Sequence, residues 1–117
     1  MNWSDFRDAP EPGTTLAKTK DATEGQALCL TLGAFPILLT RTGGKVRAFV
    51  NACPHQYLPL DHRSGQVMSA DGTKIRCSNH AAGFDAISGE GVEGLGIGCA
   101  LHPIPIEERE GLITVAR

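Results

Sequence analysis

The chain has 117 residues, of which 41% are hydrophobic, 21% charged and 5% aromatic, the size of one domain around one modest core. Eleven basic against thirteen acidic side chains leave a net charge of -2. That balance excludes the basic excess of a nucleic-acid or anionic-membrane binder. The longest apolar stretch, Leu32 to Leu39, contains Gly33 and Pro36 and falls far short of the ~20 residues that a spanning helix needs.

Acids and prolines arrive early in MNWSDFRDAPEPG, against the charged-then-apolar order of a secretion signal. A cytoplasmic address is therefore expected. In such a compartment the four cysteines, Cys29, Cys53, Cys77 and Cys99, point to metal or redox chemistry before a disulfide framework. With 14 glycines and 7 prolines, the chain is broken too often for a helix bundle, and no amphipathic helical pattern outlasts about two turns. An all-β fold is expected.

In chain order, Met1 to Gly13 reads as loosely held, with Trp3 and Phe6 able to pin it to the body. Ala27 to Leu32 alternates as a strand, with Leu28, Leu30 and Leu32 on one face and Cys29 on the other. Phe35 to Thr40 and Lys45 to Ala52 are the next strands, the latter aligning Val46, Ala48 and Val50. Gly43-Gly44 between them suits a tight hairpin that needs positive φ. Asp71-Gly72 predicts a small hairpin of Gln66 to Met68 with Thr73 to Arg76, and Glu110-Gly111 predicts one of Ile104 to Glu107 with Leu112 to Val115. There is no repeat, low-complexity tract or interdomain linker, so residues 1–117 are expected to form a single domain.

The informative residues are Cys53-Pro54-His55 and Cys77-Ser78-Asn79-His80. Each pairs a soft thiolate with an imidazole, and both patterns together arise by chance only about 2% of the time at this composition. Pro54 biases Cys53 toward extended backbone, where positions i and i+2 project to one side, so Cys53 and His55 can face one centre. The second pair needs a loop, because i and i+3 do not align on a strand. Gly83 is expected to let the backbone turn close to a bound group.

Cys53-Pro54-His55-Gln56-Tyr57-Leu58-Pro59-Leu60 and Cys77-Ser78-Asn79-His80-Ala81-Ala82-Gly83-Phe84-Asp85, followed by Ser88-Gly89-Glu90, resemble the two cluster-binding loops of Rieske iron–sulfur proteins. Gly98-Cys99-Ala100-Leu101-His102-Pro103-Ile104-Pro105 is similar to the family's proline-containing loop over the cluster. The resemblance runs from about Ala48 to the C-terminus and implies a Rieske-type antiparallel β-sandwich with an inserted cluster-binding lobe at about 51–94. It implies one 2Fe–2S cluster, with Cys53 and Cys77 on a buried iron and His55 and His80 on the outer one.

The sequence departs from the family in several places. The His55–Cys77 gap is longer than in compact members, Ala81 stands where glycine is usual, and Asn79 where a bulky residue is frequent. The extra cysteine pair of high-potential respiratory members is absent, since Gln56, Tyr57 and Ser78 occupy that region.

Replacing two thiolates by imidazoles leaves the oxidised cluster formally neutral, which places such centres at about −150 to +300 mV. Without the stapling cysteines, the lower half of that range is expected. The function implied is a soluble one-electron carrier with no catalytic residue of its own. It would take electrons from a flavin-dependent reductase and deliver them to a terminal oxygenase or similar redox enzyme. Docking would centre on Pro54, Gln56, Tyr57, Asn79 and Ala81, with neither nucleic acid nor membrane as partner.

Other readings are weaker. A redox-sensing module or an accessory small subunit of a reductase complex would use the same fold, but the small subunits lack the ligands present here. A structural zinc suits two Cys and two His, though C-x-H is cramped around one tetrahedral ion. His62 and His102 with Asp61 or Glu107 invite a mononuclear iron, but Rieske oxygenase chains carry a large extra domain for it. Cys29 reads as a small buried hydrophobe, Cys99 as a packing residue near the cluster, and Glu107, Glu108 and Glu110 as an exposed strand-end face.

Overall fold

A computed structural model describes residues 2–53, 59–61, 67–77 and 82–116. Ten strands and no α-helix are found among them, arranged in three antiparallel sheets. The central sheet contains β2 (Ala27–Leu32), β3 (Phe35–Thr42), β4 (Lys45–Val50) and β8 (Pro103–Ile104), in the order β2-β3-β4-β8. Its strands are rich in the branched and aromatic residues that pack well on a pleated surface. Gly43 and Gly44 take φ of 62° and 81° between Thr42 and Lys45, the paired ends of β3 and β4, which is the left-handed backbone a two-residue hairpin demands.

Both faces of this sheet are covered. Phe35, Ile37, Leu39, Val46, Ala48 and Val50 point into one buried cluster, while the alternate residues Leu38 and Phe49 point into another. Period-two alternation thus divides the interior into two cores on opposite sides of one sheet. Leu28, Leu30 and Leu32 pack on the first core, and Cys29 packs on the second, as their alternation predicts.

The first core is closed by a sheet in the order β1-β10-β9, made of β1 (Thr15–Lys18), β9 (Ile106–Arg109) and β10 (Leu112–Val115). Both ends of the chain therefore build the base. Trp3 and Phe6 pack against the first core, and Phe6 meets the Phe35 ring edge-on at 6.4 Å, so the N-terminal segment is pinned. Arg41 on β3 straps the two sheets together: it donates to the carbonyls of Ala22 at 2.7 Å and Gly44 at 2.8 Å, and to the Glu108 carboxylate on β9.

The second core is closed by a small sheet of β5 (Lys74–Arg76), β6 (Ala82–Asp85) and β7 (Gly91–Gly94), in the order β5-β6-β7. Asp71 accepts from the Ser69 hydroxyl at 2.6 Å and from Thr73 at its N–H (3.1 Å) and hydroxyl (2.7 Å). These bonds hold its carboxyl below the usual range and fix the turn that leads into β5. The predicted hairpin is present, with Met68 bridged to Ile75; Gln66 lies outside the described residues.

The predicted hairpin at Glu110-Gly111 is shifted. Ile104 belongs to β8 of the central sheet, Pro105 breaks the run, and β9 starts at Ile106, with Arg109 opposite Leu112. The sequence reading did not anticipate β1, β6 or β7, which are short and contain Ala, Gly or Lys where strands usually carry branched residues.

Candidate metal centre

Cys53 and Cys77 each stand just past the end of a strand and belong to the same core. Cys53 follows β4 by three residues and is fully buried; Cys77 follows β5 directly and is 7% exposed. Both lie in the second core with Leu38, Leu60, Ile75 and Phe84. Their imidazole partners in the sequence pattern, His55 and His80, lie outside the described residues, as do His62 and the residues where docking is expected, Pro54, Gln56, Tyr57, Asn79 and Ala81.

The two segments that start at Cys53 and Cys77 are closed at their feet in different ways. The Cys77 N–H donates to the Ala82 carbonyl at 3.0 Å, a main-chain bond that extends the β5–β6 pairing across residues 78–81. The first segment is closed by a side chain. Asn51, 4% exposed, accepts the Leu60 N–H on Oδ1 at 2.8 Å and donates Nδ2 to the Asp61 carboxylate at 3.0 Å. Its main-chain N–H donates to the Pro36 carbonyl at 3.0 Å, which anchors it to β3.

Asp61 also receives the Cys29 thiol, whose pKa is pushed up to about 12, chiefly by burial and then by the charge and hydrogen bond of Asp61. Cys29 is thus more than the apolar filler its strand position suggests. A cleft lined by Cys29, Pro36, Asn51, Pro59 and Asp61 opens beside these groups. The sequence reading missed Asn51. The signal available was a short amide inside the apolar run Ala48-Phe49-Val50-Asn51-Ala52-Cys53, because a buried amide there must find partners.

Other expectations fall elsewhere. Gly83 sits mid-strand in β6 opposite Arg76 and Glu93, with no left-handed backbone. A Cβ there would run into the Glu93 side chain, so the missing side chain makes room for Glu93, which pairs with Lys74 at 3.2 Å and Arg76 at 3.1 Å. Half-buried Cys99 accepts the Gly91 N–H on its carbonyl at 2.8 Å. His102 packs on the Phe6 ring at 5.2 Å, and burial lowers its pKa. The acidic run is not one exposed face: Glu108 turns to Arg41, which holds its carboxyl below the usual range, and Glu107 lies 3.5 Å from Arg109.

The donor chemistry fits an iron–sulfur group. Two soft sulfur donors enter one apolar core from separate segments, and a shell that excludes water favours thiolate–iron bonding over hydrolysis. Among the described residues no three His, Cys, Asp or Glu side chains come together.

Comparison with known proteins places the chain in a family. The profile of the Rieske [2Fe-2S] domain matches residues 14–107, and the chain belongs to that family. Its cofactor is accordingly one Rieske-type 2Fe–2S cluster. The fold matches the ferredoxin of carbazole 1,9a-dioxygenase from Nocardioides aromaticivorans IC177 at TM-score 0.74 and 21% identity, over 91% of this chain and 98% of that one. The Sphingomonas yanoikuyae B1 ferredoxin matches at 0.73 and 19% identity, over 90% and 98%. A chain in the complex of reduced oxygenase and oxidized ferredoxin in carbazole 1,9a-dioxygenase matches at 0.75 and 22% identity, over 92% and 94%. No curated protein sequence matches the chain.

Proposed function

We propose that this protein is a soluble one-electron carrier whose cluster is held by Cys53, His55, Cys77 and His80. The observation that carries the reading is the burial of Cys53 and Cys77 in one apolar core at the feet of two separate segments. When bound, the 2Fe–2S group supplies a one-electron couple. Cys53 and Cys77 would hold the group from the buried side, and His55 and His80 would complete its ligand set and carry the contact with redox partners. The domain is residues 1–117, with the cluster-binding lobe at about 51–94.

Likeness to a chain from an oxygenase–ferredoxin complex supports a terminal oxygenase as the acceptor, and a flavin-dependent reductase fits as the donor. Electron-transfer encounters use small interfaces, so the contact centres on residues 54–57 and 79–81. No helix among the described residues is long and apolar enough to cross a membrane.

The test is metal analysis of anaerobically purified protein, with EPR after reduction. Two irons and two sulfides per chain, with the EPR signal of a histidine-ligated 2Fe–2S centre, are expected. Stoichiometric zinc without sulfide would overturn the assignment. Tyr57→Ala is expected to slow electron transfer to the cognate oxygenase while leaving the visible spectrum intact; a lost spectrum would contradict a docking role.

A further inference from the structure

We propose that Asn51 is a positioning residue for the cluster, clasping the segment that carries Cys53 and His55 and held in orientation by Asp61. The inference rests on the cluster reading above and extends it to a side chain that is no ligand.

The hydrogen bonds allow Asn51 only one orientation. The Leu60 main-chain N–H can only donate, so it needs Oδ1; the ionised Asp61 carboxylate can only accept, so it needs Nδ2. A flipped amide would set donor against donor and acceptor against acceptor. The clasp also bridges a long span, joining residue 51 to residues 60 and 61 on either side of the ligand positions 53 and 55. Because the Asn51 main chain is tied to Pro36 of β3, its carboxamide links the far side of the segment to the central sheet, beside the packing of Leu60 in the second core. Among the described residues the second segment is closed by a main-chain bond instead, from Cys77 to Ala82. An anchor of this kind sets where the donor atoms sit relative to the metal, and loss of such support characteristically weakens metal retention.

The test compares wild type with Asn51→Ala, Asp61→Ala and Asp61→Asn, following iron loss to a chelator, the EPR g-values of the reduced protein and thermal melting. Asn51→Ala is expected to lose iron about tenfold faster and to shift the g-values. Asp61→Ala leaves the Leu60 bond but frees the amide, and a smaller change of the same kind is expected. Asp61→Asn keeps an acceptor and should stay near wild type. Should Asn51→Ala fail to retain any cluster, the half-exposed Asp61→Ala decides, since wild-type behaviour there would overturn the proposal. A lowered melting temperature in Asn51→Ala with unchanged iron loss and g-values would also overturn it, leaving Asn51 merely structural. A wild-type protein with no 2Fe–2S signal is a separate failure, that of the cluster reading itself.

Discussion

The two cores share a wall but are not equally self-sufficient. The base core lies between a four-stranded sheet and a three-stranded sheet, with both ends of the chain woven into it and Arg41 bridging the layers. The lobe core has the other face of that same four-stranded sheet, but its own lid is three strands of three to four residues. Cys53 and Cys77 lie in the lobe core and not in the base. Short strands with little apolar area stabilise weakly by themselves, so the lobe is the region that gains most from a bound metal group, whose binding energy becomes folding energy.

Removing the cluster is the strongest way to separate the two. Hydrogen exchange on protein stripped of iron should show β5, β6 and β7 losing protection, while β2, β3, β9 and β10 keep theirs. Uniform loss across both halves would contradict the division, and so would unchanged protection in the lobe.

A matched pair of truncations sharpens it. Phe84 on β6 and Ile113 on β10 are both fully buried, one in each core. Removing either side chain should destabilise by about 3–4 kcal/mol through lost burial and the cavity left behind. Phe84→Ala should also release iron to a chelator faster than wild type, whereas Ile113→Ala should lower the unfolding midpoint with iron retention unchanged under native conditions. Equal iron loss from the two variants would break the comparison.

The sequence was far more informative about some of these features than others. β2, β3 and β4 of the central sheet were legible because their alternation is strong on both sides of the Gly43-Gly44 turn. The ligand pattern was legible because Cys and His are rare and their spacing is tight. β6 and β7 were hidden, since Ala82-Gly83-Phe84-Asp85 and Gly91-Val92-Glu93-Gly94 become strands by pairing with β5 and with each other, a tertiary effect that local propensity cannot reveal. The displaced Ile104 has the same origin: β4 recruits it at its open edge, and Pro105 then separates it from the hairpin it would otherwise join. Asn51 and Asp61 could not be joined from sequence, because the chain between them must fold before they meet.

Arg41 offers a smaller perturbation confined to the base. Its guanidinium serves the carbonyls of Ala22, Gly44 and Thr19 and the Glu108 carboxylate at once, a fork that an ammonium cannot reproduce. Arg41→Ala should cost about 2 kcal/mol, the range for losing hydrogen bonds to a charged group, and Arg41→Lys should recover only part of it. Denaturant unfolding measures both, and iron retention should not change in either. A variant as stable as wild type would show that the strap adds nothing to the packing between the sheets.

The smallest effect appears only in alkali and concerns the wall between the cores. Cys29 faces the lobe side of β2, and its thiol is held neutral up to about pH 12 by burial and Asp61. An unfolded thiol ionises near its ordinary value of 9.0. Below that value both states keep the proton, and the shift contributes nothing to the pH dependence. Above it the unfolded chain releases a proton that the folded chain retains, so stability falls as pH rises toward the folded value. Cys29→Ser keeps a donor for Asp61 without this titration. Its unfolding midpoint should therefore fall less than that of wild type between about pH 7 and about pH 10. Because Cys29 is only partly buried, solvent screening keeps the difference modest. Parallel curves for the two proteins would mean that the Cys29 thiol loses its proton as readily in the folded chain as in the unfolded one, and that Asp61 does not restrain it.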